Sequence, residues 1–302
     1  MVRGLGLLLA VLALALAGAP GEAQAAIRHY WVAAVPVHWT IAPNGRDAIN
    51  GVRYDDAKMP FETVAYRAYT RNWERQLPHR YGIQGPLIRA RVGDRILVHF
   101  KNLDNLFEQP HSMHFHGVHY PFGADGSFIP GISTRGANVK PGDTFTYRLV
   151  AGKDSAGVWP YHDHSPSMMD SIAGGLYGAL SILGRHERRP DREFVVFLAA
   201  MNEFMTIDGR AFVGNTPLFE SRVGDLVQWD VLTLGEDFHT FHVHGHRWQQ
   251  PGGGGFVDVQ TLGPAESYRI RWREDRPGTW LYHCHVESHM EHGMIGLYKV
   301  RR

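Results

Sequence analysis

The chain has 302 residues, with 31 basic against 30 acidic side chains and a net charge of +1. That balance argues against nucleic acid as the main partner, because phosphate binding needs a basic excess or stripe. The length suits two all-β domains better than one small sandwich, and a single cysteine among 19 histidines excludes an internal disulfide.

Residues 1–26 read as a secretory leader. Arg3 is basic, the stretch from Leu5 to Ala17 is apolar, and Ala23, Gln24 and Ala25 form an A-x-A cleavage signal. The apolar run is short for a membrane span, and no later segment is apolar enough to cross. A secreted or periplasmic protein, with no membrane partner after leader removal, is expected. Residues 27–84 follow as a lead-in rich in Tyr and Trp that carries no chemical motif.

Four landmarks then occur twice in the same order. Gly85, Pro86 and Leu87 before a Val92-Gly93-Asp94 turn recur as Thr216, Pro217 and Leu218 before Val223-Gly224-Asp225. His111, His114, His116 and Gly117 recur as His239, His242, His244 and Gly245. Trp159, His162 and His164 recur as Trp280, His283 and His285. Gly175 and Gly178 recur as Gly293 and Gly296. Ordered self-similarity of this kind marks a duplicated domain. Each copy has short β-branched and aromatic runs split by Gly and Pro turns: Val92–Asn102 with Thr144–Val150, and Val223–Leu232 with Ser267–Trp272. The predicted fold is all-β, two tandem Greek-key sandwich or barrel domains over 27–185 and 186–302. They join within Gly184–Arg192, and the four glycines 252–255 read as a mobile loop.

Strand parity sorts the chemistry. Residues two apart share a face and neighbours oppose. His283 and His285 therefore point one way and Cys284 the other; His242 and His244 share a face that His239 opposes. Cys284, His239, His289 and Met294 make a thiolate, two imidazoles and a weak axial thioether, the donor set of a blue-copper electron-transfer site. Eight further histidines fall in four His-x-His pairs: His114 with His116, His162 with His164, His242 with His244, and His283 with His285. Zinc sites use about four ligands, so eight imidazoles suit a three-copper cluster instead, fed equally by both domains at a domain–domain interface.

These motifs resemble the multicopper oxidase signature, and in particular two-domain bacterial laccases, over nearly the whole mature chain. The first half, with Tyr30, Trp31, Gly85 and His99 to Asn102, also resembles ceruloplasmin-like cupredoxin domains. The resemblance implies type 1 copper on His239, Cys284, His289 and Met294. It implies type 2 copper on His114 and His242, and two type 3 coppers, one on His116, His162 and His285, the other on His164, His244 and His283. That is about four coppers per chain. The implied reaction passes electrons from a reducing substrate through Cys284, His283 and His285 to dioxygen, giving water. Phenols or aromatic amines are the expected donors. A metal-ion oxidase acting on Fe(II), Cu(I) or Mn(II) is the alternative, with Glu287 and Glu291 as acids beside His289. A copper-binding electron carrier without oxidase activity is a third reading, disfavoured by the duplicated His pairs. Asp125 reads either as an Asp-Gly turn or as a proton-delivering acid near type 2 copper. Tyr120 reads as packing or as a redox-active aromatic. His119, His246 and His292 break the ligand spacing and read as surface or supporting groups. The first domain has Asp163 where the second has Cys284, and Met168 where it has His289. Blue copper is therefore expected in the second domain alone, and copper nitrite reductases are expected to match poorly. Two directly joined domains cannot readily face their His pairs together, so a homotrimer with clusters between chains is expected.

Overall fold

The structure, a computed structural model, describes residues 25–54, 59–79 and 82–302. Nearly all of the expected leader lies outside the described residues. Among them no helix is long and apolar enough to cross a membrane.

The first sandwich contains β1 (Ile27–Thr40), β2 (Pro60–Tyr69), β3 (Ile88–Arg91), β4 (Arg95–Asn102), β5 (His114–Phe115), β6 (Thr144–Val150), β7 (Gly157–His162) and β8 (Tyr177–Leu183). Its sheets run β2-β1-β4-β6 and β3-β8-β7-β5. A short helix, α1 (Met168–Ala173), links β7 to β8. The second sandwich contains β9 (Arg192–Met201), β10 (Phe204–Ile207), β11 (Leu218–Arg222), β12 (Leu226–Thr233), β13 (His239–Val243), β14 (Trp248–Gln249), β15 (Phe256–Val257), β16 (Val259–Leu262), β17 (Ser267–Arg273), β18 (Gly278–Cys284) and β19 (Ile295–Arg301). Its sheets run β10-β9-β12-β17 and β11-β19-β18-β13-β16, with β14 and β15 as a separate hairpin around the four glycines. Helix α2 (Glu287–Glu291) follows β18.

The duplication read from the motifs reappears in the pairing. β1 runs parallel to β4 as β9 does to β12, and β3 runs parallel to β8 as β11 does to β19. The all-β, two-cupredoxin architecture is as expected. The lead-in, read as carrying no chemical motif, is structural: β1 is a 14-residue strand paired on both edges, and β1 with β2 supplies half of one sheet.

Alternation explains the cores. In β4 the even positions Ile96, Val98 and Phe100 are buried against Tyr66, Tyr147 and Tyr161, as period-two patterning requires. The second core gathers on Trp229, Trp248, Phe241 and Tyr282, and includes Cys284 and Met294. A third apolar cluster lies where the sandwiches meet, joining Trp39, Ile83 and Tyr177 to Phe197, Phe212 and Leu232. Polar groups cross the same junction. Arg269 on β17 pairs with buried Asp230 at 3.2 Å and donates to the carbonyls of Ile182 (2.8 Å) and Gly157 (2.6 Å).

Candidate metal centre

Both His-x-His-Gly motifs turn out of a strand at their glycine. Gly117 (φ 69°) and Gly245 (φ 71°) adopt left-handed backbone, and a Cβ there would meet the Trp159 ring at 2.0 Å and the Trp280 ring at 2.8 Å. Only glycine combines that conformation with that approach. Each Trp comes from the strand bearing the next His pair, so the turn is packed against the strand that completes its quartet.

In the first sandwich His114 on β5 stands directly across from His162 on β7. The rings of His114, His116, His162 and His164 form one group with centroids 5.1–5.8 Å apart. In the second, His242 on β13 faces His283 on β18, and His242, His244, His283 and His285 gather at 5.2–5.5 Å. The quartets match atom for atom. His116 and His162 bring Nε2 atoms to 3.1 Å, and so do His244 and His283. His162 Nδ1 bonds the carbonyl of Asp163 at 2.8 Å, and His283 Nδ1 bonds that of Cys284 at 2.8 Å. A ring whose Nδ1–H donates to a carbonyl presents its Nε2 lone pair, the form a metal ligates. Burial lowers His116, His162 and His283 to about 4, and neighbouring imidazoles push the same way. These rings are neutral at pH 7.

The second group lies on the opposite face of β18. Cys284 Sγ is 3.8 Å from His239 Nδ1 and 3.6 Å from His289 Nδ1, and the two nitrogens are 3.2 Å apart. All three residues are buried, and burial lowers His239 to about 4. Met294 is fully buried in the core that holds Cys284; its carbonyl accepts from Cys284 N–H at 3.1 Å. Thr240 N–H reaches Sγ at 3.3 Å. A soft thiolate and two neutral imidazoles converging on one buried point suit copper.

The corresponding position in the first sandwich is different. Asp163 Oδ1 accepts from Ser112 N–H at 2.7 Å, and His111 is bracketed by Asp104 (3.1 Å) and Asp163 (3.6 Å). Burial alone would lower His111, but the two carboxylates outweigh it and raise it. Met168 begins α1.

Among the other predicted residues, Asp125 accepts from His114 Nδ1 through its carbonyl at 2.8 Å, with its carboxylate at 3.6 Å. Burial pushes that carboxyl up, but Ser127, His114 and Tyr120 together hold it below the usual range. Tyr120 lies 6.2 Å ring to ring from His114, and burial and then Asp125 raise it. His119 bonds exposed Asp154 at 2.8 Å, and His292 bonds the Ser288 carbonyl. Two groups escaped sequence reasoning. Glu274 is buried and holds His246 at 3.1 Å, while His246 Nδ1 bonds the His244 carbonyl at 2.7 Å. Asp237 acts electrostatically on both His239 and His289. Neither lies at a ligand spacing, so only the fold reveals them.

Domain profiles described as multicopper oxidase match residues 81–187 and 187–302. A probable nitrite reductase-hydroxylamine oxidoreductase fusion protein of Kuenenia stuttgartiensis is 32% identical over 72% of this chain and 27% of its own length. Human ferroxidase HEPHL1 is 28% identical over 94% of this chain and 30% of its own. The chain thus spans less than a third of these curated relatives. A solved multicopper oxidase superposes with a TM-score of 0.70 at 26% identity, covering 91% of this chain and 89% of that one. The poor match expected of nitrite reductases is not what overall fold likeness returns: a solved copper nitrite reductase from Nitrosomonas europaea superposes with a TM-score of 0.71 at 18% identity, covering 91% of this chain and 94% of that one. Duplicated sandwiches, paired histidine quartets and matching profiles together place this chain in the multicopper oxidase family.

Proposed function

We propose that this copper oxidoreductase couples one-electron oxidation of a small reducing substrate to four-electron reduction of dioxygen to water, outside the cytoplasm. The observation that carries it is the position of Cys284. It is held with His239 and His289 on one face of β18, and its chain neighbours His283 and His285 belong to the quartet on the other. Two sites are thereby joined through a few covalent bonds.

His239, Cys284, His289 and Met294 would hold one copper, and the eight quartet histidines a further three. Copper, when bound, supplies the redox chemistry. The chain supplies the rest. The backbone carbonyls of Asp125, Asp163, Asp258 and Cys284 orient the imidazoles of His114, His162, His242 and His283. Asp125, whose carboxylate lies 3.6 Å from His114 Nδ1 and is held below its usual range by Ser127, His114 and Tyr120, would pass protons toward the oxygen-reducing side.

Each quartet stays within its own sandwich; among the described residues no ring contact joins first-sandwich to second-sandwich histidines. His285 is exposed. Exposed Phe122, Ile129 and Ile132 border the first quartet's segment, and exposed Phe256 lines a cavity with His242. These features support cluster assembly between chains, head to tail, in a closed homotrimer.

Phe238, 56% exposed beside His239, offers an apolar contact to an aromatic ring and favours phenols or aromatic amines. Asp237, with exposed Glu287 and Glu291 on α2, favours the second reading, a metal-ion oxidase. Copper counting with oxygen uptake separates them, comparing a phenol and Fe(II) on the loaded protein. About four coppers per chain and uptake with the phenol support the first reading. Uptake with Fe(II) alone selects the second, and no uptake with either overturns both.

A further inference from the structure

The sheet β2-β1-β4-β6 carries a second set of metal donors on its outer face. His29 on β1 and His99 on β4 are 70 residues apart in sequence, yet His29 Nδ1 stands 3.0 Å from His99 Nε2. The parallel register sets Trp31 directly across from His99 and His29 two pairs along, opposite Leu97. Period-two alternation points all three side chains away from the core. The rings are nearly parallel: His99 lies 4.6 Å from Trp31 and 5.3 Å from His29. No quartet residue belongs to this sheet; His114 and His162 sit on the opposite one.

We propose that His29 Nδ1 and His99 Nε2 form a surface site for a late divalent transition metal, Cu(II) above all. Three features support the assignment. Two imidazole nitrogens bound cis at about 2.0–2.1 Å from one metal lie about 2.9 Å apart, so the pair closes on an ion with little movement. Thr146, paired with His99 across β6, bonds His99 Nδ1 at 3.0 Å and fixes the ring with Nε2 toward His29. That is the orienting contact a ligating imidazole needs. Burial, with His29 and Arg148 adding to it, lowers His99, which keeps it neutral and able to ligate. His29 is exposed, so the remaining coordination positions face water.

The chemistry also fixes what the site refuses. Among the described residues no hydrogen bond or ion pair brings a carboxylate to either ring, and Arg148 adds positive charge. Hard cations that need oxygen donors, such as Mg(II) and Ca(II), are excluded. Among imidazole-binding ions the affinity order places Cu(II) first.

The test uses the copper-loaded protein, titrated with Cu(II) and separately with Ni(II) by calorimetry. The wild type takes up one more equivalent than the His29→Ala/His99→Ala variant, whose blue colour and assembled mass stay unchanged. Thr146→Val weakens the extra site on the order of tenfold. Trp31 fluorescence is quenched on Cu(II) binding, and Trp31→Phe removes that quench while keeping the stoichiometry. A large excess of Mg(II) does not compete. Equal stoichiometry in wild type and double variant, or displacement by Mg(II), overturns the proposal.

Discussion

Asp163 occupies in the first sandwich the place Cys284 occupies in the second: Ser112 N–H donates to Asp163 Oδ1 at 2.7 Å where Thr240 N–H reaches Cys284 Sγ at 3.3 Å. A buried carboxylate has replaced a buried sulfur at the same backbone donor. The neighbouring histidine has changed role with it. His239 offers a free Nδ1 to Cys284 and His289, whereas His111 is committed to Asp104 and Asp163. Asp163→Cys alone therefore creates no second blue site, because Met168 supplies no imidazole. The variant also takes the carboxylate from Ser165 Oγ and His111, a loss of about 1–3 kcal/mol. Visible absorption and urea unfolding check both parts; a second strong thiolate band contradicts the assignment.

Cys284→Ser is expected to abolish the blue colour while the quartets still load. The quartets take no ligand from Cys284, and the serine keeps the carbonyl that holds His283 Nδ1. Copper analysis should fall by about one per chain. A colourless, fully loaded wild type would rule out the thiolate assignment.

The sequence carried these sites because strand parity is a local property. Three adjacent residues, His283, Cys284 and His285, divide between two faces whatever surrounds them. Motif order likewise carried the duplication and the all-β class. What it could not carry were contacts made by the fold. Glu274 lies 30 residues beyond the His244 it supports through His246, His99 meets His29 across 70 residues, and β1 is held between β2 and the distant β4. None of these has a fixed spacing to read.

Stability should fall as pH rises from about 4 to about 7 through one group. Asp208 is fully buried near the junction of the sandwiches, and burial pushes its carboxyl up to about 7. In the unfolded chain a carboxyl ionises near 4. Over that window the folded protein holds a proton the unfolded chain has lost. The contribution is full below about pH 4 and is lost by about pH 7. Asp208→Asn keeps the acceptor for Phe197 N–H and removes the charge. Its advantage over wild type, up to about 2–4 kcal/mol at pH 8, should vanish near pH 4. Thermal unfolding across pH measures it, and a parallel pH dependence in both proteins refutes it.

Arg269→Met should loosen the junction itself. It removes donors to two first-sandwich carbonyls and strips the cation from Asp230. Burial already raises Asp230 to about 6 against the pull of Arg269. An uncompensated buried charge of this kind costs about 3–5 kcal/mol. Urea unfolding should show the loss; a change under about 1 kcal/mol would mean the junction is held by its apolar cluster alone.

The last prediction concerns where the eight imidazoles meet. Each quartet is a half-site, four rings closed within one sandwich, and the cluster proposed above needs both halves. β8 and β9 are joined by residues 184–191, and the third apolar cluster packs the sandwiches directly together. The junction is buried, so the chain cannot swing one quartet onto the other without breaking it. Repeated rotation offers the alternative: the first sandwich of one chain meets the second of the next, and three chains close the ring. Light scattering should give a trimer mass. Removing copper should weaken the trimer, because ions that bind only the assembled state stabilise it by mass action. Complementation tests the sharing of residues. His114→Ala and His242→Ala chains are each inactive alone. After subunit exchange some interfaces pair an intact first quartet with an intact second, and part of the activity returns. An active monomer, or no recovery in trimers shown to have exchanged, excludes clusters between chains.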